Sequence, residues 1–391
     1  MEGLGASVRS AAARSFHAMF HASGRPLLVS LVALLCLTCS KTTAPSDLPS
    51  VVPTDGHRRY IYAVFDDGSV HVYDIDRAHR EVASFATTDG VLDVRGVCAS
   101  AKTGVMYIGH QRPEAGYVVA VDVAHDGQVL WNRAYQPNVD RLSCSHDGKK
   151  VYVPSNEAFP ADTLVVLDGA TGDELSRVHV SPKPHDCLDG LSGAHVFLET
   201  KSSDVIAVID ASTDKVVSHV GPFASILGPY TVDAKDTRVY ANVYGVNGFQ
   251  VGDVATGKVI ATASIAKQTV LKGTLDQHGI ALSPDETEVW VNDGVGNAKV
   301  THVFDVTVMP PVAKHDVALD YANPHWITFS IAGDFAYVAG PKHGGMGTNV
   351  IDAKSYARAA TIGASEDMLE IDFEEGAIAR VGNQFGVGRK P

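Results

Sequence analysis

The chain has 391 residues, 45% of them apolar and 20% charged, and a formal charge of −13. That length accommodates one large domain or two ordinary ones, and the composition is that of a globular protein. An acidic chain without a Lys/Arg block excludes the electrostatic footprint of a nucleic-acid-binding protein.

The first 39 residues read as a leader. Arg9, Arg14 and Arg25 precede the apolar run Pro26 to Leu35, and small or polar residues follow. A basic flank, a short apolar core and a cleavage region make a secretory signal, and the run is too short to span a bilayer comfortably. The flank is long, and Met19 would give a more ordinary start. Loss of residues 1–38 removes three Arg and one Glu and takes the charge to −15. Leu37-Thr38-Cys39-Ser40 is similar to a bacterial lipoprotein junction, which makes Cys39 a candidate lipidation site and the membrane a candidate attachment. Thr38 and Cys36 depart from that pattern, and the alternative is plain cleavage and release. Either way the protein is expected to be exported to the periplasm or cell envelope of a bacterium. Residues 40–57, rich in Pro, Ser and Thr, read as a flexible tether.

From residue 58 to 391 the chain reads as one all-β domain. Short β-rich runs alternate with Gly/Asp/Asn turns, and helical periodicity is missing. An aromatic recurs in Tyr62, Tyr107, Tyr152, Phe197, Tyr240, Trp290 and Tyr337, at spacings of 45, 45, 45, 43, 50 and 47 residues. An Asp ends the strand after each: Asp74, Asp122, Asp168, Asp210, Asp253, Asp305 and Asp352. These Asp residues are expected to bond turn N–H groups, and the aromatics to pack between units. Each unit is four short strands. A lone sheet of that size cannot bury both faces, but radial stacking of seven such sheets can. The expected fold is a seven-bladed β-propeller. The first unit lacks its inner strand, since Ser50 in the tether occupies the corresponding position. Met368–Phe373 would supply it, so the N- and C-terminal strands close one blade together. Ala377–Val381 is left as a further strand that could compete with Tyr60–Phe65.

Twelve residues before each later aromatic an inner strand begins, at Arg95, Asp140, His185, Gly228, His278 and His325, and Asp367 completes the set. These positions should ring one mouth of the central channel. Arg95, Asp140, His185, His278, His325 and Asp367 are therefore the candidate ligand-binding residues, with Asp186 and Glu366 beside them. His185, His278 and His325 form a candidate metal set, for which zinc or copper is the matching ion. The plainer alternative is that these histidines pack at the mouth and bond neighbouring backbone. Pro341–Gly347 is read as a long turn in the sixth blade. Of five cysteines, Cys98, Cys144 and Cys187 lie outside the leader, and all three are expected as buried thiols. No C-x-x-C-H, H-E-x-x-H, G-x-S-x-G or Walker loop occurs, so a covalent c-type haem is excluded.

His278-Gly279-Ile280-Ala281-Leu282-Ser283-Pro284-Asp285, Val151-Tyr152-Val153 and Val208-Ile209-Asp210 resemble the repeat of the YVTN family of seven-bladed propellers. The resemblance covers residues 58 to about 375, and Gly228-Pro229-Tyr230 departs from it by lacking the His. It implies the propeller fold, whereas function in that family is diverse. The expected function is a monomeric, non-catalytic binding or scaffold protein for a protein, glycan or small ligand at the mouth face. The alternative, by analogy with similar propellers, is a metal-dependent or lactonase-like enzyme using the His-rich mouth. A third reading, a surface adhesion module, would require a large apolar patch on one face.

Overall fold

The computed structural model describes residues 52–389, apart from 88–92, 126, 159–160, 266–277, 294, 296 and 342–344. Cys39 and the leader therefore lie outside the described residues. Seven antiparallel sheets form seven blades in chain order: blade 1 (93–135), blade 2 (143–179), blade 3 (184–220), blade 4 (227–264), blade 5 (280–318), blade 6 (327–362) and blade 7 (367–381 with 57–86). The inner strands are Asp93–Ser100, Ser143–Cys144, Pro184–Asp189, Leu227–Val232, Ile280–Leu282, Ile327–Phe329 and Asp367–Glu374. In blade 7, Asp367–Glu374 pairs antiparallel with His57–Val64, from His57↔Glu374 to Val64↔Asp367. The two ends of the domain thus close the propeller, as the repeat pattern requires.

Among the described residues seven apolar clusters hold the blades together; each joins two neighbouring blades, and the one between blades 3 and 4 also takes in Trp326, Phe385 and Val387. Tyr240 of blade 4 packs with Ile280 and Leu282 of blade 5. Trp290 of blade 5 packs with Ile327 and Phe329 of blade 6, and Tyr337 of blade 6 with Ile61 and Met368 of blade 7. All seven repeat aromatics are at most 3% exposed. They are inter-blade packing because a twisted four-stranded sheet buries its faces only against the next blade. The recurrent Asp has its expected turn role: Asp210 Oδ1 accepts from Ser212 N and Thr213 N at 2.9 Å each, and Asp352 Oδ1 accepts from Ser355 N at 2.7 Å.

Two expectations are corrected. Cys98 and Cys144 form a disulfide across blades 1 and 2, with Cα atoms 5.9 Å apart, and only Cys187 is a buried free thiol among the described residues. The reason is radial convergence: near the axis, inner strands of adjacent blades approach closely enough to be bridged. The loop closed is 46 residues in sequence separation. Replacing both cysteines by Ala is expected to lower unfolding free energy by about 3 kcal/mol, measured by urea denaturation. Next, Ala377–Val381 does not compete with Tyr60–Phe65. It pairs with the opposite edge of Asp367–Glu374, giving a five-stranded blade 7.

The chain then runs through the channel. Gly386 O accepts from Thr231 Oγ1 and Leu282 N, each at 2.8 Å. Gln384 O accepts from Thr328 Oγ1 at 2.7 Å, and Gln384 Oε1 accepts from Val97 N at 2.8 Å. Phe385 and Val387 are 3% and 2% exposed. Residues 382–389 therefore fill the axis that the inner strands of blades 1, 4, 5 and 6 surround.

Two buried histidines, His110 beside Val94 at the mouth end of blade 1 and His79 at the opposite end of blade 7, are expected to make stability pH-dependent. Burial pushes His110 down to about 4, helped by Arg112, and it pushes His79 down to about 4. Their folded-state values lie below the unfolded value of about 6.5, so between pH 6.5 and 4 the unfolded chain binds more protons. Their contribution is complete above pH 6.5 and is lost as pH falls through that window, on the order of 2–3 kcal/mol per histidine. Urea titrations from pH 7.5 to 4.5 should show the decline, and His110→Gln should reduce its slope by about one proton.

Candidate functional site

The mouth lies where the inner strands begin. Adjacent inner segments come so close there that Arg141 and Asp186 form a parallel backbone bridge between blades 2 and 3. At Gly279, with φ of 128°, any Cβ would collide with the His325 carbonyl, which explains the glycine after His278. All the ring positions foreseen from the repeat fall at this mouth, but they divide into separate groups.

Arg95 and Asp140 form one ion pair, with Arg95 Nη2 2.6 Å from Asp140 Oδ1 and 3.4 Å from Glu157 Oε1. His185 is 2% exposed. Its Nδ1 stands 3.0 Å from Asp186 Oδ1 and 3.2 Å from Glu199 Oε2, and its Nε2 stands 3.9 Å from Glu157 Oε2. Gly228 contributes no side chain to the ring. His278 and His325 stack on each other, with centroids 3.7 Å apart and planes 7° from parallel. His325 also pairs with Glu366. Asp367 accepts from Arg141 Nη1 and from Gln384 Nε2, each at 2.6 Å.

At the centre is a residue pair one step beyond the ring. Arg141, 1% exposed, reaches Glu366 through Nη2 and Asp367 through Nη1, both at 2.6 Å. Its guanidinium lies 4.8 Å from the centroid of Trp326. Trp326 is also 1% exposed and is approached by His278 at 5.1 Å, by His325 at 5.9 Å and, from the channel side, by Phe385 at 5.3 Å. Trp326 and the C-terminal segment together close the mouth from below. The mouth is therefore a cup rather than an open bore.

Electrostatics separate the histidines. Burial alone would strip His185 of its proton, but Asp186, followed by Asp140 and Glu157, outweighs burial and raises it to about 9. Burial likewise opposes the charge of Glu157, yet His185, Lys201 and Arg95 pull it down to about 2. His278 moves the other way: burial, the neighbouring His325 and the cations Lys201 and His185 hold it well below the ordinary imidazole range. At neutral pH, His185 carries charge and His278 does not.

Donor atoms of Asp140, Glu157 and His185 all lie within 4.8 Å of one another, as do those of His185, Asp186 and Glu199. Both groups draw on His185, and neither includes His278 or His325. Beside Glu366 and Asp367 the mouth adjoins a cavity of about 350 Å³ between blades 6 and 7. Asp66, Asp67, Glu366 and Asp367 line it together with Val64, Phe65, Pro341 and Met346, and no basic residue does so among the described residues. Lys342, His343 and Gly344 of the foreseen turn lie outside the described residues.

Arg141, Trp326, Glu157, Glu199 and Lys201 were not foreseen. Arg141, Asp186 and Trp326 all stand one residue after a ring position, so reading the repeat at that offset would have found them. Glu199 and Lys201 sit where a second strand returns to the mouth, 14 and 16 residues after His185.

No family model matches the chain, and no curated protein matches it. Among solved structures it is similar to Kuenenia stuttgartiensis Hydrazine Synthase, at 14% identity and a TM-score of 0.55, over 74% of this chain and 95% of that one. At that identity the likeness shows the propeller fold alone.

Proposed function

We propose that this chain is an exported binding protein, a YVTN-like propeller, that takes a small organic cation with an apolar body in the cavity beside the mouth. The observation that carries the reading is the lining of that cavity: Asp66 and Asp67, with Glu366 and Asp367 already paired to Arg141 behind them, and the apolar side chains of Val64, Phe65, Pro341, Met346 and Ala364 around about 350 Å³. Convergent polar groups beside apolar surface are what a small-molecule site requires. Positively charged groups gain from the carboxylates, and Phe65 offers an aromatic surface. Export is supported by the leader sequence and by the Cys98–Cys144 disulfide, which persists in an oxidising compartment. Attachment through Cys39 belongs to the same proposal, and Cys39→Ser would then move the protein from the membrane fraction to the soluble one.

The adhesion reading gains no support. Among the described residues the exposed large apolar side chains are Val129, Leu130, Leu175, Val217, Ile226, Ile260, Val308, Met309, Val312 and Met346, spread from blade 1 to blade 6, with only Val129 and Leu130, and Val308, Met309 and Val312, close together in sequence. They do not gather on one face.

Thermal unfolding in the presence of benzyltrimethylammonium, benzyl alcohol and benzoate tests the binding reading. A saturable rise in Tm with the cation alone, abolished by Met346→Lys at the exposed cavity edge, is the expected result. No rise, or an equal rise with benzoate, overturns it.

A further inference from the structure

The inner wall of the mouth under blade 3 has a composition that the cavity reading does not use. Asp186 is 2% exposed, and neither of its carboxylate oxygens accepts a hydrogen bond. Its Oδ1 stands 3.0 Å from His185 Nδ1 without hydrogen-bond alignment. Glu199 is fully buried, and its Oε1 likewise accepts no hydrogen bond, although Lys201 Nζ lies 3.1 Å away as an ion pair. Buried carboxylate oxygens normally collect two or more donors. His185 Nδ1 hydrogen-bonds Glu199 Oε2 at 3.2 Å and Asp186 N donates to the same oxygen at 3.3 Å, so the oxygens left without a donor are both of Asp186 and Oε1 of Glu199. One imidazole nitrogen and carboxylate oxygens of both residues within 4.8 Å of one another have the spacing of ligands around a shared cation.

We propose that His185 Nδ1, an Asp186 oxygen and a Glu199 oxygen bind one divalent first-row transition metal ion, with Mn²⁺ and Zn²⁺ as the matching types. One imidazole with two carboxylates is a borderline-to-hard ligand set, suited to these ions and poorly suited to Cu(I). The charges agree. Asp140, Glu157, Asp186 and Glu199 surround the site, and the permanent cations Arg95 and Lys201 face them. The His185 proton adds a third positive charge in the absence of metal; when an ion displaces that proton, four carboxylates against two permanent cations leave an excess of two, which one divalent ion matches. Glu157, whose side chain is 35% exposed, stands on the solvent side of His185 and marks the route of entry. This site differs from a three-imidazole centre, because the stacked rings of His278 and His325 present their in-plane nitrogens along parallel directions. It is also independent of the cavity between blades 6 and 7, so failure of either proposal leaves the other standing.

The test uses the full chain, expressed with its own leader, purified without a histidine tag and stripped with EDTA. Calorimetric titration with MnCl₂ and with ZnCl₂ should give one equivalent bound. Asp186→Asn and Glu199→Gln should each weaken binding at least tenfold, and the His278→Ala/His325→Ala variant should bind as the wild type does. Because the two carboxylate variants can also disturb folding, pulsed EPR of the Mn²⁺-loaded wild type supplies a reading that needs no substitution. One ligating imidazole nitrogen supports the site. Absence of binding by the folded protein, two or more ligating imidazoles, or binding that depends on His278 and His325 overturns it.

Discussion

Arg141→Met should lower the unfolding free energy by about 3–5 kcal/mol, because it leaves two carboxylates without their partner inside the channel. The guanidinium is 1% exposed and binds Glu366 and Asp367 through separate nitrogens at 2.6 Å each. Burying a cation is itself unfavourable, so the intact network adds little net stability; the large effect comes from breaking it. Arg141→Lys should recover only part of the loss, since a single ammonium cannot reproduce a planar fork that addresses two carboxylates and lies against Trp326. Guanidinium chloride titrations of the three proteins supply the comparison. A loss below about 1 kcal/mol for Arg141→Met would mean that water already reaches Glu366 and Asp367.

Removal of residues 377–391 is expected to have a larger effect, on the order of 5 kcal/mol or more. The truncation takes away Phe385 and Val387, both buried, and the hydrogen bonds that the tail makes to the inner strands of blades 1, 4, 5 and 6. It also strips the paired edge from Asp367–Glu374 and uncovers Trp326 from the channel side. Two readouts check this: a lower denaturation midpoint, and a red shift in tryptophan emission from Trp326 meeting water. An unchanged emission maximum would show that the inner strands collapse into the space vacated.

The periodic part of the fold was legible because a propeller repeats one solution seven times. Tyr62 to Tyr337 and Asp74 to Asp352 mark the same places in every blade, and packing between blades constrains each copy alike. Closure was legible too, from the missing inner strand at Ser50 and the surplus one at Met368–Phe373. What the repeat could not show is what occurs once. The tail from Gly382 to Arg389 has no counterpart in other blades, so no periodicity points to the channel as its destination. The Cys98–Cys144 bridge depends on the spacing of strands at the axis, which a count of three cysteines does not encode. At the mouth, the repeat located the ring positions but not their pairing. His278 and His325 meet face to face, whereas His185 faces carboxylates, and that difference arises from Asp186 and Glu199 rather than from the histidines themselves.

Closure in blade 7 also decides at which end of the propeller the upstream chain joins. Val64 lies opposite Asp367 at the mouth, while His57 lies opposite Glu374 at the far end of the same pair of strands. The polypeptide upstream of His57 therefore joins the domain on the side away from the ring of charged residues. A connection made through that upstream segment meets the propeller at the end opposite the cup, where Gly56 O and Thr54 O accept from Glu375 N and Gly376 N, and it takes none of the cup's rim.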